Sequence, residues 1–94
     1  MKRITKSELQ AVVDRINRAT GNPLEPYRRE GDRNVSNIGN YHLSGAYGGY
    51  SLHQMANPSG GVRDVLYCGH VPARDLYNRM LSYLSGIQTQ KDAA

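Results

Sequence analysis

Tyr41-His42-Leu43-Ser44-Gly45-Ala46-Tyr47-Gly48-Gly49-Tyr50-Ser51-Leu52-His53 is the stretch on which the fold turns. Tyr41-His42-Leu43 and Tyr50-Ser51-Leu52-His53 alternate at period two, and the glycine pair between them suits positive φ. A two-residue Gly48-Gly49 turn would pair Tyr47 with Tyr50, Gly45 with Leu52, Leu43 with Gln54 and His42 with Met55. One face then carries Tyr41, Leu43, Gly45, Tyr47, Tyr50 and Leu52, and is expected to meet the core. The other carries His42, Ser44, Ala46, Ser51, His53 and Met55. A slip of one residue would exchange the two faces.

Downstream, Asn57-Pro58-Ser59-Gly60-Gly61 is a turn signal, and Val62 to Cys68 reads as a third strand. Its alternation sets Leu66 and Cys68 on one face and Val65 and Tyr67 on the other. After Pro72, the residues Leu76, Tyr77, Met80, Leu81, Leu84 and Ile87 recur at helical spacing, and Gly86 is expected to end that helix.

Upstream, Thr5-Lys6-Ser7-Glu8 forms a capping box, with Ile4 and Leu9 as its hydrophobic staple. Leu9, Val12, Val13, Ile16 and Ala19 make one apolar stripe, closed by Gly21 and Pro23, so the spacing predicts a helix over 5–20. Residues 22–37 admit two readings, a short edge strand at 27–30 or a mobile basic loop.

The expected fold class is α+β. An N-terminal helix, a three-stranded antiparallel sheet (four-stranded if 27–30 joins it) and a C-terminal helix follow in order. Both helices pack on one sheet face. One domain should span 1–87, with 88–94 as a frayed tail.

Ninety-four residues suit a single domain with a modest core. Seven Tyr, with no Phe and no Trp, bring hydroxyls that need partners or a wet edge. A single cysteine, Cys68, excludes an intrachain disulfide and points to the cytoplasm. The amphipathic N-terminus is unlike a signal peptide, and no apolar run is long enough to span a bilayer, so no membrane role is expected. The net charge of +4 gathers in residues 1–33, which hold eight Lys/Arg against five Asp/Glu. That asymmetry suits nucleic acid, an acidic protein surface or plain solubility.

If both helices cover one sheet face, the other is open. By the expected register it presents His42, Ser51, His53, Arg63 and Tyr67, a polar and aromatic surface suited to binding. His42 and His53 would be diagonal neighbours, and with His70 they could hold zinc. Solvent-facing strand histidines are the simpler reading, and neither metal nor cofactor is expected. Cys68-Gly69-His70 lacks the second ligand pair of a zinc site, and a small buried cysteine accounts for it. The glycine groups match no phosphate loop. With no catalytic motif in view, a non-enzymatic role is expected. The second functional reading is nucleic-acid binding through Lys2, Arg3, Lys6, Arg28, Arg29 and Arg33. A metal-dependent enzyme is a remote third.

Asn37 to Gly49, Leu52-His53-Gln54-Met55, Ser59 to Val62 and Val71 to Tyr77 together resemble a group of small proteins of tailed bacteriophages and prophages. The opening helix followed by Thr20-Gly21-Asn22-Pro23-Leu24 shares in the resemblance. It implies a setting, a phage-encoded accessory protein in the cytoplasm of a bacterial host, and it carries over no functional residue. A host protein is the partner it favours, and the free edges of a short sheet allow a homodimer.

Overall fold

The computed structural model describes residues 3–93. Helix α1 (Lys6–Thr20) opens the chain. The Thr5 side chain accepts from the Glu8 amide, and the Glu8 carboxylate accepts from the Thr5 amide, so the capping box is complete. Gly21, at φ 73°, closes the helix in the left-handed conformation. Leu9, Val12, Val13 and Ile16 are buried along one stripe.

Two separate antiparallel sheets follow. Strands β1 (Tyr27–Glu30) and β2 (Arg33–Ser36) form a two-stranded ribbon that does not join the larger sheet. Glu30 pairs with Arg33 across a Gly31-Asp32 turn. Every residue of β1 is exposed, because the polar run Tyr27-Arg28-Arg29-Glu30 has no apolar alternation with which to enter the core.

Strands β3 (Tyr41–Ala46), β4 (Gly49–Met55) and β5 (Val62–Asp64) form the second sheet in the order β3-β4-β5. Its register differs by two places from the sequence expectation: His42 faces His53, Leu43 faces Leu52 and Ala46 faces Gly49. The turn residues are thus Tyr47 and Gly48, at φ 54° and 75°. A tyrosine, where the sequence suggests a glycine, occupies the first left-handed position of the turn. Gly49 instead lies where a Cβ would sit 2.9 Å from the Val71 carbonyl oxygen, so its lack of a side chain serves close packing. Because side chains alternate with period two, a two-place shift leaves the strand faces unchanged.

Helix α2 (Ala73–Ala93) lies beside α1 on the Tyr41/Leu52 face of the sheet. Leu76, Met80 and Leu84 meet Leu9, Val13, Ile16, Tyr41 and Leu52 in one buried cluster. Each fully buried aliphatic there contributes on the order of 1.5–3 kcal/mol. The helix does not end at Gly86, and the tail expected to fray is helical to Ala93. Ile87 packs against the core, and Lys91 Nζ donates to the Ala19 carbonyl at 2.8 Å. These contacts outweigh the roughly 1 kcal/mol by which a helical glycine falls short of alanine.

Asn17 locks α1 to β3. It is fully buried, donates to the Tyr41 carbonyl at 2.9 Å and accepts from the Tyr41 amide at 2.8 Å. The side chain acts as a one-residue strand at that edge. Among the described residues, no helix is long and apolar enough to cross a membrane.

Candidate functional site

With both helices on the Tyr41/Leu52 face, the opposite face of β3 and β4 carries the polar residues in cross-strand rows. One row is His42, His53 and Asp64, joined by direct pairing across the three strands. The second begins with Ser44 opposite Ser51. Its third member arrives from beyond β5: Tyr50 and Val71 exchange both backbone hydrogen bonds, at 2.8 and 2.9 Å, which sets His70 next to Ser51. His70 Nε2 then reaches across β4 to Ser44 Oγ at 2.9 Å. The intervening Ser51 is fully buried.

The rings form a line. His42 and His53 have centroids 6.0 Å apart, His53 and His70 5.9 Å, and His70 and Tyr47 6.3 Å, all edge to face. Burial lowers the His42 pKa below its ordinary value and the neighbouring His53 adds to this, against the Asn40 contact. Burial also lowers His53, partly reversed by Asp64, with His70 lowering it further. Burial by itself would raise the Asp64 carboxyl, but the Gly69 amide, the Ser51 hydroxyl and the Leu66 amide hold it below the usual range. Ser51 Oγ and the Gly69 amide donate to it at 3.2 and 2.8 Å. The middle of this face therefore holds two imidazoles, His42 and His53, pushed toward the neutral form beside one fixed carboxylate.

Tyr47 ends the row with its ring against His70, and a second exposed tyrosine, Tyr67, lies on the loop between Asp64 and His70. Tyr47 is 100% exposed in the β3–β4 turn, and Tyr67 is 85% exposed on the 65–71 segment that carries His70. Both hold φ at 54°, a conformation that costs a non-glycine residue roughly 1–2 kcal/mol. The alternation predicts Tyr47 on the core face, but its left-handed turn position puts it out in solvent.

The structure corrects three of the five expected surface residues. Strand β5 stops at Asp64, so Tyr67 sits in a loop and not on a strand. Arg63 pairs with Gln54, which shares a face with Leu52, and its Nε donates to Gln54 Oε1 at 2.8 Å. The cause is the Asn57 turn, whose side-chain oxygen accepts from the Ser59 and Gly61 amides and sets the parity of the returning strand. Ser51 lies on the expected face but beneath it. His42 and His53 are where the alternation predicts, directly opposite each other and not diagonal. Sequence reasoning missed Asp64, and it weighed His70 only for metal or thiol chemistry with Cys68.

The described members of the basic set lie on two parts of the chain, Arg3 and Lys6 at the start of α1 and Arg28, Arg29 and Arg33 on the ribbon. Lys2 lies outside the described residues. Arg3 and Lys6 line a cleft of about 650 Å³ with Arg74 and Tyr50. Arg28, Arg29 and Arg33 are on the ribbon, where Arg28 bonds Glu30 at 3.0 Å and Asn37 at 2.8 Å, and Arg29 donates to the Gly31 carbonyl. Cys68 is half-buried in its loop, not in the core, with Sγ 3.5 Å from the Gly69 carbonyl.

Chemically, Ser44 and His70 have the spacing of a hydroxyl and its base. Among the described residues no carboxylate holds the other ring nitrogen of His70, since Asp64 is engaged by Ser51 and Gly69. Nor does any group of three or more His, Cys, Asp or Glu surround a common point. No protein-family model matches this chain, and no curated protein or solved structure matches it.

Proposed function

We propose that this chain is a non-catalytic binding protein that takes a protein partner on the surface formed by His42, His53, His70, Tyr47 and Tyr67. The observation that carries this reading is the pair of exposed tyrosines held at left-handed φ, one against the histidine row and the other on the loop that joins Asp64 to His70. Aromatic rings with a polar tip supply large contact area at low entropic cost, and binding hot spots are enriched in them. Backbone strain of this kind persists where the surroundings enforce it and clusters at functional positions. The imidazoles of His42 and His53, held toward the neutral form by burial, add hydrogen-bond donors and acceptors without the desolvation cost of a charge.

The setting we propose is that of a phage-type accessory protein in the bacterial cytoplasm, with a host protein as the partner. It rests on the resemblance, which runs from the opening helix and residues 20–24 through the stretches between Asn37 and Tyr77. Affinity capture from bacterial lysate tests both. The wild type should retain a saturable partner, and a Tyr47→Ala, Tyr67→Ala double variant of unchanged Tm should lose it. Retention of the same partner by the double variant would remove this surface from the account.

A further inference from the structure

Strand β3 has a neighbour on one side only. Antiparallel pairs alternate between residues that exchange hydrogen bonds with the partner strand and residues whose N–H and C=O point away. Tyr41 gives both backbone groups to the Asn17 side chain, so it points away from β4. Leu43 and Gly45, two and four residues on, point the same way. Among the described residues nothing pairs with their backbone groups. Strand Tyr41–Ala46 itself carries no charged side chain, no proline and no bulge, and the residues that line a cleft beside it, Lys6, Asp14, Glu25 and Pro26 among them, meet only Tyr41, His42 and Leu43 of the strand, not Ser44 to Ala46.

We propose that two copies of this chain pair β3 to β3, antiparallel, about a two-fold axis at Ser44. The occupant follows from self-complementarity. In this register Leu43 of each copy exchanges both backbone hydrogen bonds with Gly45 of the other. The Leu43 side chain then lies over a residue with none. On the opposite face Ser44 meets Ser44, and His42 meets Ala46, with no like charges across the axis. The two three-stranded sheets become one, and their histidine rows lie on a continuous surface. The inference deepens the proposed function, because it presents that surface twice.

So short an edge makes a small interface, and association should appear only over a concentration range of about 10 µM to 1 mM. Light scattering should give 10.5 kDa at the dilute end and rise toward twice that value. Gly45→Lys tests the register. A Cβ there meets the Tyr50 ring at 3.8 Å, an ordinary contact, so the monomer accepts it while the charge blocks the edge. This variant should stay at 10.5 kDa throughout, with Tm unchanged in dilute solution. In the wild type, amide exchange at Leu43 and Gly45 should slow with concentration. A wild-type mass that never rises, a folded Gly45→Lys variant that still doubles, or exchange indifferent to concentration each overturns the proposal. None of these readings involves the protein partner, so a monomer removes the dimer and leaves the partner surface standing, and failed capture does the reverse.

Discussion

The ribbon β1–β2 and the sheet β3–β4–β5 are both antiparallel, yet they are held by different forces. The larger sheet buries Tyr41 and Leu52 beneath two helices. The ribbon puts no residue into that cluster. It is tied down by polar contacts: Asn37 accepts from Arg28, donates its side-chain amide to the Glu25 carbonyl at 2.9 Å, and gives its backbone amide to Pro26. Hydrophobic burial makes the first sheet part of the cooperative unit. Exposed hydrogen bonds, each of small net value, leave the second to open more freely. The histidine–tyrosine surface belongs to the first kind, so its shape is coupled to global stability.

The largest test of this contrast compares equivalent truncations. Leu52→Ala should cost about 3 kcal/mol, since it empties a fully buried site. Val35→Ala, at a half-buried position of the ribbon, should cost less than about 1 kcal/mol. Similar values from urea unfolding would mean that the ribbon is part of the core.

Gly49→Val comes next, at about 2 kcal/mol, because its side chain enters the space beside the Val71 carbonyl. It should also push the 65–71 segment away, so His70 loses Ser44 and partner binding falls along with Tm. A variant with wild-type Tm would break the link between turn packing and the site.

These two tests show where the sequence was informative. The cap of α1 and its stripe were legible because they are local. The faces of β3 and β4 were legible because period-two parity survives a shift of register by two. The turn was misread because glycine is the ordinary occupant of left-handed positions, and tertiary context gave one of them to Tyr47. The parity of β5 depends on the Asn57 turn, and three residues are too few to show alternation. His70 joins the site only through the Tyr50–Val71 bridge, a pairing across 21 positions that no local pattern announces. A strand at 27–30 was one of the two readings of residues 22–37, but its pairing with 33–36 was not legible, because an all-polar ribbon carries no hydrophobic signature.

Acidity separates the two regions more gently. His42 and His53 have folded pKa values below the ordinary value of about 6.5, so the unfolded chain binds more protons than the folded one. Stability is then complete above about pH 6.5 and falls as pH drops below it. Asp64, also lowered, adds a second loss as pH falls below about 3.9. At the alkaline end the Tyr41 hydroxyl, pushed up to about 12 by burial and by its bond to Tyr83, adds stability that is lost as pH rises from about 10 through 12. Denaturation at several pH values checks each sign. A His42→Gln, His53→Gln variant should flatten the slope between about pH 6.5 and 5, whereas changes in the ribbon should leave it unaltered.

The smallest effect belongs to Arg28→Ala. It breaks an exposed ion pair and one bond to Asn37, and should cost less than about 1 kcal/mol. Partner binding should be unchanged, because the ribbon is not part of the proposed surface.

Hydrogen exchange on the captured complex, at fixed concentration with and without the partner, tests the central claim most directly. The account predicts that amides of residues 64–71 and of the Tyr47 turn become protected while those of residues 27–36 do not change. Protection of 27–36 with no change at 64–71 would contradict it and move recognition to the arginine-bearing ribbon.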